Sequence, residues 1–235
     1  MAEPTRGARH AATASYTEHL PDPAERLAGG ELLEGPSTLV LVDLQRLDAD
    51  PLAGVGPQLL AADARGLVRD YFTRVADIVV PTAAALLERY RSVGAQVVHV
   101  RVASPARNGG DLSLRYRQLG FTCAASSAEA RFMPGLEPAD GEAVIDKITS
   151  SAFVGTVLGT WLRSLRVQTI VVGGVVTNGC VESTVRNGAD LGYRVVLVAD
   201  ACAALSPAEQ DGSLAQLHGN FATVTTGAEV GVALR

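Results

Sequence analysis

Thr169-Ile170-Val171-Val172-Gly173-Gly174-Val175-Val176-Thr177-Asn178-Gly179-Cys180-Val181-Glu182-Ser183-Thr184-Val185-Arg186 joins an apolar run, a glycine-bearing turn and the opening of a helix. The run Thr169–Val172 has no polar alternation, as in strands buried on both faces. Cys180 stands at the junction where the helix begins. Unpaired N–H groups and the helix dipole favour an anion there, so this position predicts a thiol of depressed pKa and nucleophilic character. A small buried residue would suit the same position.

Working outward, the same alternation recurs. Apolar runs lie at Thr38–Val42, Gln96–Val100, Ala143–Ile145, Arg194–Val198 and, more weakly, Ala222–Val224. Helical periodicity covers about 75–90, 156–165, 182–191 and 207–219, the last with Ser206 as N-cap before Pro207. Strands alternating with helices imply right-handed crossovers and a parallel sheet between helical layers. The expected fold is therefore a three-layer α/β/α, Rossmann-like domain with a mostly parallel sheet of about six strands. Residues 36–235 would form that domain. Residues 1–35, polar and rich in Ala, Glu and Pro, read as an N-terminal arm that could lie on a partner subunit.

A chain of 235 residues that is 47 % hydrophobic can bury a large core. The net charge of −5 and scattered arginines leave no basic footprint for nucleic acid. Three cysteines without metal-type or disulfide-type spacing fit a reducing, cytoplasmic setting. Neither a secretory signal nor an apolar run long enough for a membrane is evident.

Ligands of open parallel sheets bind beyond the carboxyl ends of the strands. The first run ends in Asp43, the third is followed by Asp146-Lys147, and the fourth leads to Cys180. An Asp closing a strand also caps turns, and a lone Lys is usually solvated. Together the three form a chemical set: a nucleophile, a carboxylate able to take its proton, and a cation beside both. Gln45 and Asn178 flank the set and could bond an amide, and Phe153 could form an apolar wall. Arg101, Arg107, Arg115 and Arg117 could offer a fork to a substrate carboxylate. Residues 104–138, which follow the second strand, could cover the site.

Val42-Asp43-Leu44-Gln45, Lys147 before Ser151-Ala152-Phe153, and Gly174-Val175-Val176-Thr177-Asn178-Gly179-Cys180-Val181 occur in an order that resembles the isochorismatase-like cysteine hydrolases. The resemblance covers about residues 36–227. It implies metal-free and cofactor-free hydrolysis of C–N bonds in small amides, ureido or carbamoyl compounds through a covalent acyl-enzyme. It assigns Cys180 as nucleophile, Asp43 as general base and later acid, and Lys147 as electrostatic partner. It further implies a cis Val175–Val176 peptide, an oxyanion hole from the Val176 and Cys180 N–H groups, and a homodimer or homotetramer. The branch acting on biuret, ureidoacrylate or N-carbamoylsarcosine is the most similar. The histidines needed for the metal site of the family's nicotinamidases are missing: 48–56 has none, and His10, His19, His99 and His218 are dispersed. Three alternatives remain: a silent binding protein of this fold, transfer of the acyl group to another nucleophile, and vinyl ether hydrolysis of the isochorismatase type, against which Cys180 argues.

Overall fold

The computed structural model describes residues 32–33, 35–106 and 108–234. The expected arm therefore lies almost wholly outside the described residues, as does Arg107; Leu32 and Leu33 pack against the core. Among the described residues no helix is long and apolar enough to cross a membrane.

Six parallel strands form one sheet: β1 (Ser37–Val42), β2 (Gln96–Val102), β3 (Ala143–Lys147), β4 (Thr169–Val175), β5 (Arg194–Ala203) and β6 (Thr223–Thr225). Their order is β3-β2-β1-β4-β5-β6, and every neighbouring pair runs parallel. Three strands lie on one side of the chain reversal and three on the other, so the sheet has a switch point between β1 and β4.

The helices are α1 (Arg46–Ala49), α2 (Gly56–Ala61), α3 (Leu67–Arg74), α4 (Val80–Ser92), α5 (Leu114–Gln118), α6 (Leu158–Ser164), α7 (Glu182–Asp190), α8 (Pro207–Leu217) and α9 (Gly227–Ala233). A π-turn at Val75–Val79 joins α3 to α4, and another at Thr177–Val181 leads into α7. Ser206 caps α8 as its sequence predicts, accepting a bond from the Glu209 N–H.

Alternate residues of each strand supply two cores. Val40, Val98, Ile170 and Val172 pack with Leu158, Leu162, Val185 and Leu217 on one face. Leu39, Leu41, Val97 and Val171 pack with Phe72, Val79, Leu87 and Tyr90 on the other. This two-sided burial is why the strands carry continuous Val, Ile and Leu. Each such side chain, fully buried, contributes roughly 1.5–3 kcal/mol.

Candidate active site

The switch point is built by close backbone approach. A Cβ on Gly174, whose φ is +143°, would stand 2.0 Å from the Val42 carbonyl oxygen of the paired strand. Glycine is thus required where β1 and β4 run together immediately before Asp43. Asp43 has φ +55°, a left-handed conformation that Asp tolerates better than most residues. Its N–H donates to the Val100 carbonyl at 2.8 Å, fixing the turn on β2.

Asp43 and Lys147 both have side chains fully shielded from solvent, and Lys147 Nζ lies 2.8 Å from Asp43 Oδ2. The ammonium also donates to the Thr149 carbonyl at 3.0 Å and the Tyr116 hydroxyl at 3.2 Å. The pair is close enough for the ammonium to offset the carboxylate's charge, and the carboxylate keeps lone pairs able to receive a proton. Burial raises the Asp43 pKa; Lys147, then Cys180 and the Val102 backbone, act against that rise. Burial alone would lower the Lys147 pKa, but Asp43 and the other acidic groups nearby raise it above its ordinary value.

Cys180 sits in the π-turn after β4, with its Sγ 3.0 Å from the Tyr116 hydroxyl. Thr184 Oγ1 donates to the Cys180 carbonyl at 2.7 Å and accepts from the Ala152 N–H at 3.0 Å, tying the turn to the loop after β3. Burial pushes the Cys180 thiol up to about 12; Lys147 and the Tyr116 bond oppose this, while Asp43 and Asp48 add to it. The lowered pKa expected from the helix terminus is therefore corrected. Desolvation outweighs the helix dipole, whose contribution to a terminal charge is only about 0.3–1 kcal/mol in the usual case. The resting group is a thiol.

Above it opens a cavity of about 400 Å³. Val55, Leu59, Tyr71, Leu119, Phe121, Val176 and Leu205 form its apolar walls; Asp48, Gln58, Arg115, Asn178 and Glu209 add polar groups, and Tyr116, Gly179 and Cys180 complete the lining. The segment after β2 does cover the site, through Arg115, Tyr116, Leu119 and Phe121. The Val175–Val176 peptide is cis, and Val176 lines the cavity.

Asp43, Lys147, Cys180, Val176 and Asn178 thus converge, whereas four residues expected to touch substrate, Gln45, Phe153, Arg101 and the exposed Arg117, do not line the cavity. Gln45 is consumed internally: Nε2 donates to the Val102 and Glu129 carbonyls, and Oε1 accepts from the Val102 N–H at 2.6 Å. Phe153 stacks on Tyr193, centroids 5.8 Å apart, within the core. Arg101 pairs with Asp146 at 2.6 Å and donates to the Ala130 carbonyl. Glu182 and Arg186 form the i, i+4 pair their spacing suggests, at 2.8 Å. Sequence reading missed Asp48, Tyr71 and the role of Tyr116; for Tyr116 the available signal was an aromatic among the arginines of the segment after β2.

A family model described as the isochorismatase domain matches residues 68–229. The chain belongs to the isochorismatase family. Among family members, an uncharacterised protein of Escherichia coli O157:H7, YecD, is 31 % identical over 208 residues, covering 85 % of this chain and 97 % of that one. An N-carbamoylsarcosine amidase of an Arthrobacter species is 34 % identical over 128 residues, 52 % of this chain; the match spans 48 % of that amidase. The crystal structure of a cysteine hydrolase from Pseudomonas syringae pv. phaseolicola superposes with a TM-score of 0.72 at 28 % identity, covering 88 % of this chain and 98 % of that chain. The isochorismatase fold and the parallel sheet thus agree with the architecture expected from the strand pattern.

Proposed function

We propose that this isochorismatase-family chain is a cysteine hydrolase that cleaves the C–N bond of a small amide, ureido or carbamoyl compound without a metal. The observation that carries the reading is a buried thiol in the cavity wall beside a buried carboxylate–ammonium pair. The names of the amidase and cysteine hydrolase relatives support it.

Proton transfer from Cys180 to Asp43 moves one negative charge from oxygen to sulfur and creates no new charge in the buried site. Lys147 stays beside it throughout. The thiolate then attacks the substrate carbon, and the oxyanion rests on the Val176 and Cys180 N–H groups, each such donor contributing roughly 2.7–4 kcal/mol. Protonated Asp43 gives its proton to the departing nitrogen as the C–N bond breaks. Water, deprotonated by Asp43, attacks the acyl-sulfur carbon, releasing the acid and restoring the thiol.

Replacing Cys180 by Ala is expected to lower turnover roughly 10⁴-fold or more, with circular dichroism unchanged. Ammonia release over primary amides and ureido compounds, and intact-mass detection of an adduct on Cys180, check this. A fully active Cys180→Ala variant would sink the covalent route.

A further inference from the structure

Among the described residues, Asp48 is the one charged group lining the cavity with neither a hydrogen bond nor an ion pair. It projects from α1 into the lining, and its carboxylate has no hydrogen-bond or ion-pair partner among the described residues. The other charges around it are engaged. Asp43 has Lys147, Glu209 accepts from the Ser206 hydroxyl at 2.8 Å, and Arg115 donates to Ser150 Oγ at 3.1 Å while lying over the Tyr116 ring. Burial, and then the neighbouring Asp43 charge, push the Asp48 carboxyl up to about 7, against the pull of Lys147 and Arg115.

A half-buried carboxylate that faces a largely apolar cavity without a partner can take a cation from outside the protein in a charge-assisted contact. The walls suit such a visitor. Tyr71 and Phe121 offer aromatic surface, and aromatic faces attract cations. Tyr71 is itself fixed to the Asp48 turn, its hydroxyl donating to the Asp48 carbonyl at 2.8 Å. A substrate carboxylate at this position would meet like charge. Resting on the reading that Cys180 reacts with compounds bound in this cavity, we infer that Asp48 is a specificity-determining residue that holds a positively charged group of the substrate. The favoured compound is a small amide or ureido molecule with an ammonium or amidinium end, its carbonyl over Cys180 and its apolar stem along Leu59 and Leu119.

The test compares wild type, Asp48→Asn and Asp48→Ser, with the exposed Glu88→Gln as a charge control. Removing an unpaired carboxylate is compatible with folding, and thermal melts verify it. Aminoethyl, ethyl and sulfonatoethyl methanethiosulfonate are reacted with each protein, and the rate at Cys180 is read by peptide mass spectrometry. The cationic-to-neutral rate ratio should fall about ten- to a hundredfold in both Asp48 variants, the range of a charge-assisted contact, and stay level in Glu88→Gln. In parallel, kcat/KM is measured on β-alaninamide, butanamide and malonamate. The wild type should prefer the ammonium compound through KM, and the Asp48 variants should lose that preference. Unchanged rate ratios in both Asp48 variants overturn the inference, as does an equal fall of kcat on all three amides. A shifted thiosulfonate ratio with no amide turned over keeps the role of Asp48 and rejects amide hydrolysis instead.

Discussion

Asp43 and Lys147 must be understood as one unit. Each charge is buried, and each offsets part of the other's desolvation. Replacing Asp43 by Asn or Lys147 by Met leaves the remaining partner buried and unpaired, so each single change should destabilise the fold by about 3–5 kcal/mol. The double variant removes both charges and should recover a large part of that loss. Urea denaturation of the four proteins closes the cycle. Simple addition of the two single effects would show that the pair is not coupled. The same logic explains why Cys180 holds its proton at rest: a third charge in this pocket would be paid for in full. The helix terminus that makes Cys180 conspicuous in the sequence is therefore less important to its protonation than the carboxylate that can receive its proton.

At the level of elements, the carboxyl ends of the central strands depend on an irregularity. The β4–β5 register shifts between Val172 and Gly174, so β5 bulges where the site begins. Bulges disturb the ladder and leave carbonyls needing donors. Arg74, the last residue of α3, answers two of them, donating to the Cys202 and Ala199 carbonyls at 3.0 and 3.1 Å. Arg74→Met keeps the aliphatic stem and removes the donors, which should cost about 1–3 kcal/mol. A change in urea midpoint equivalent to less than about 0.5 kcal/mol, the range of an ordinary surface substitution, would refute this role. Such details mark the limit of the sequence. The strands were legible because two-sided burial leaves unbroken Val, Ile and Leu, and Asp43, Lys147 and Cys180 were legible because strand ends are where a parallel sheet presents chemistry. The π-turn before α7 was not, since a helical period of hydrophobicity does not register one inserted residue. The short helices α1, α2 and α5 carry too few turns to show a period. Gln45 misled for a related reason: its neighbourhood in sequence suggested substrate, but its amide is shared between two backbone segments. Asp48 and Tyr116 reach the cavity through the packing of the short helices α1 and α5, which no spacing encodes.

Across the whole molecule, the helical layer is tied to one edge of the sheet by Glu142. This residue, just before β3, accepts from Arg91 at the end of α4 at 2.7 Å, lies 2.9 Å from His99 Nε2 on β2, and accepts from the Ala139 N–H at 2.8 Å. Burial alone would raise its pKa, but Arg91, the Ala139 N–H and His99 hold it down at about 2, below the ordinary 4.5. Burial lowers the His99 pKa from 6.5 against the pull of Glu142. For both groups the unfolded chain binds more protons at acid pH than the folded one, so both make stability fall as pH falls. The His99 contribution is lost below about pH 6.5, and that of Glu142 between about 4.5 and 2. Asp48, shifted up to about 7, acts in the opposite sense between 3.8 and 7. It is present in both proteins of the comparison and cancels in their difference. Glu142→Gln should accordingly be less stable than wild type at neutral pH, with the two urea midpoints converging as pH drops from 4.5 toward 2. A constant gap between them over that window would mean that the carboxylate does not carry this link.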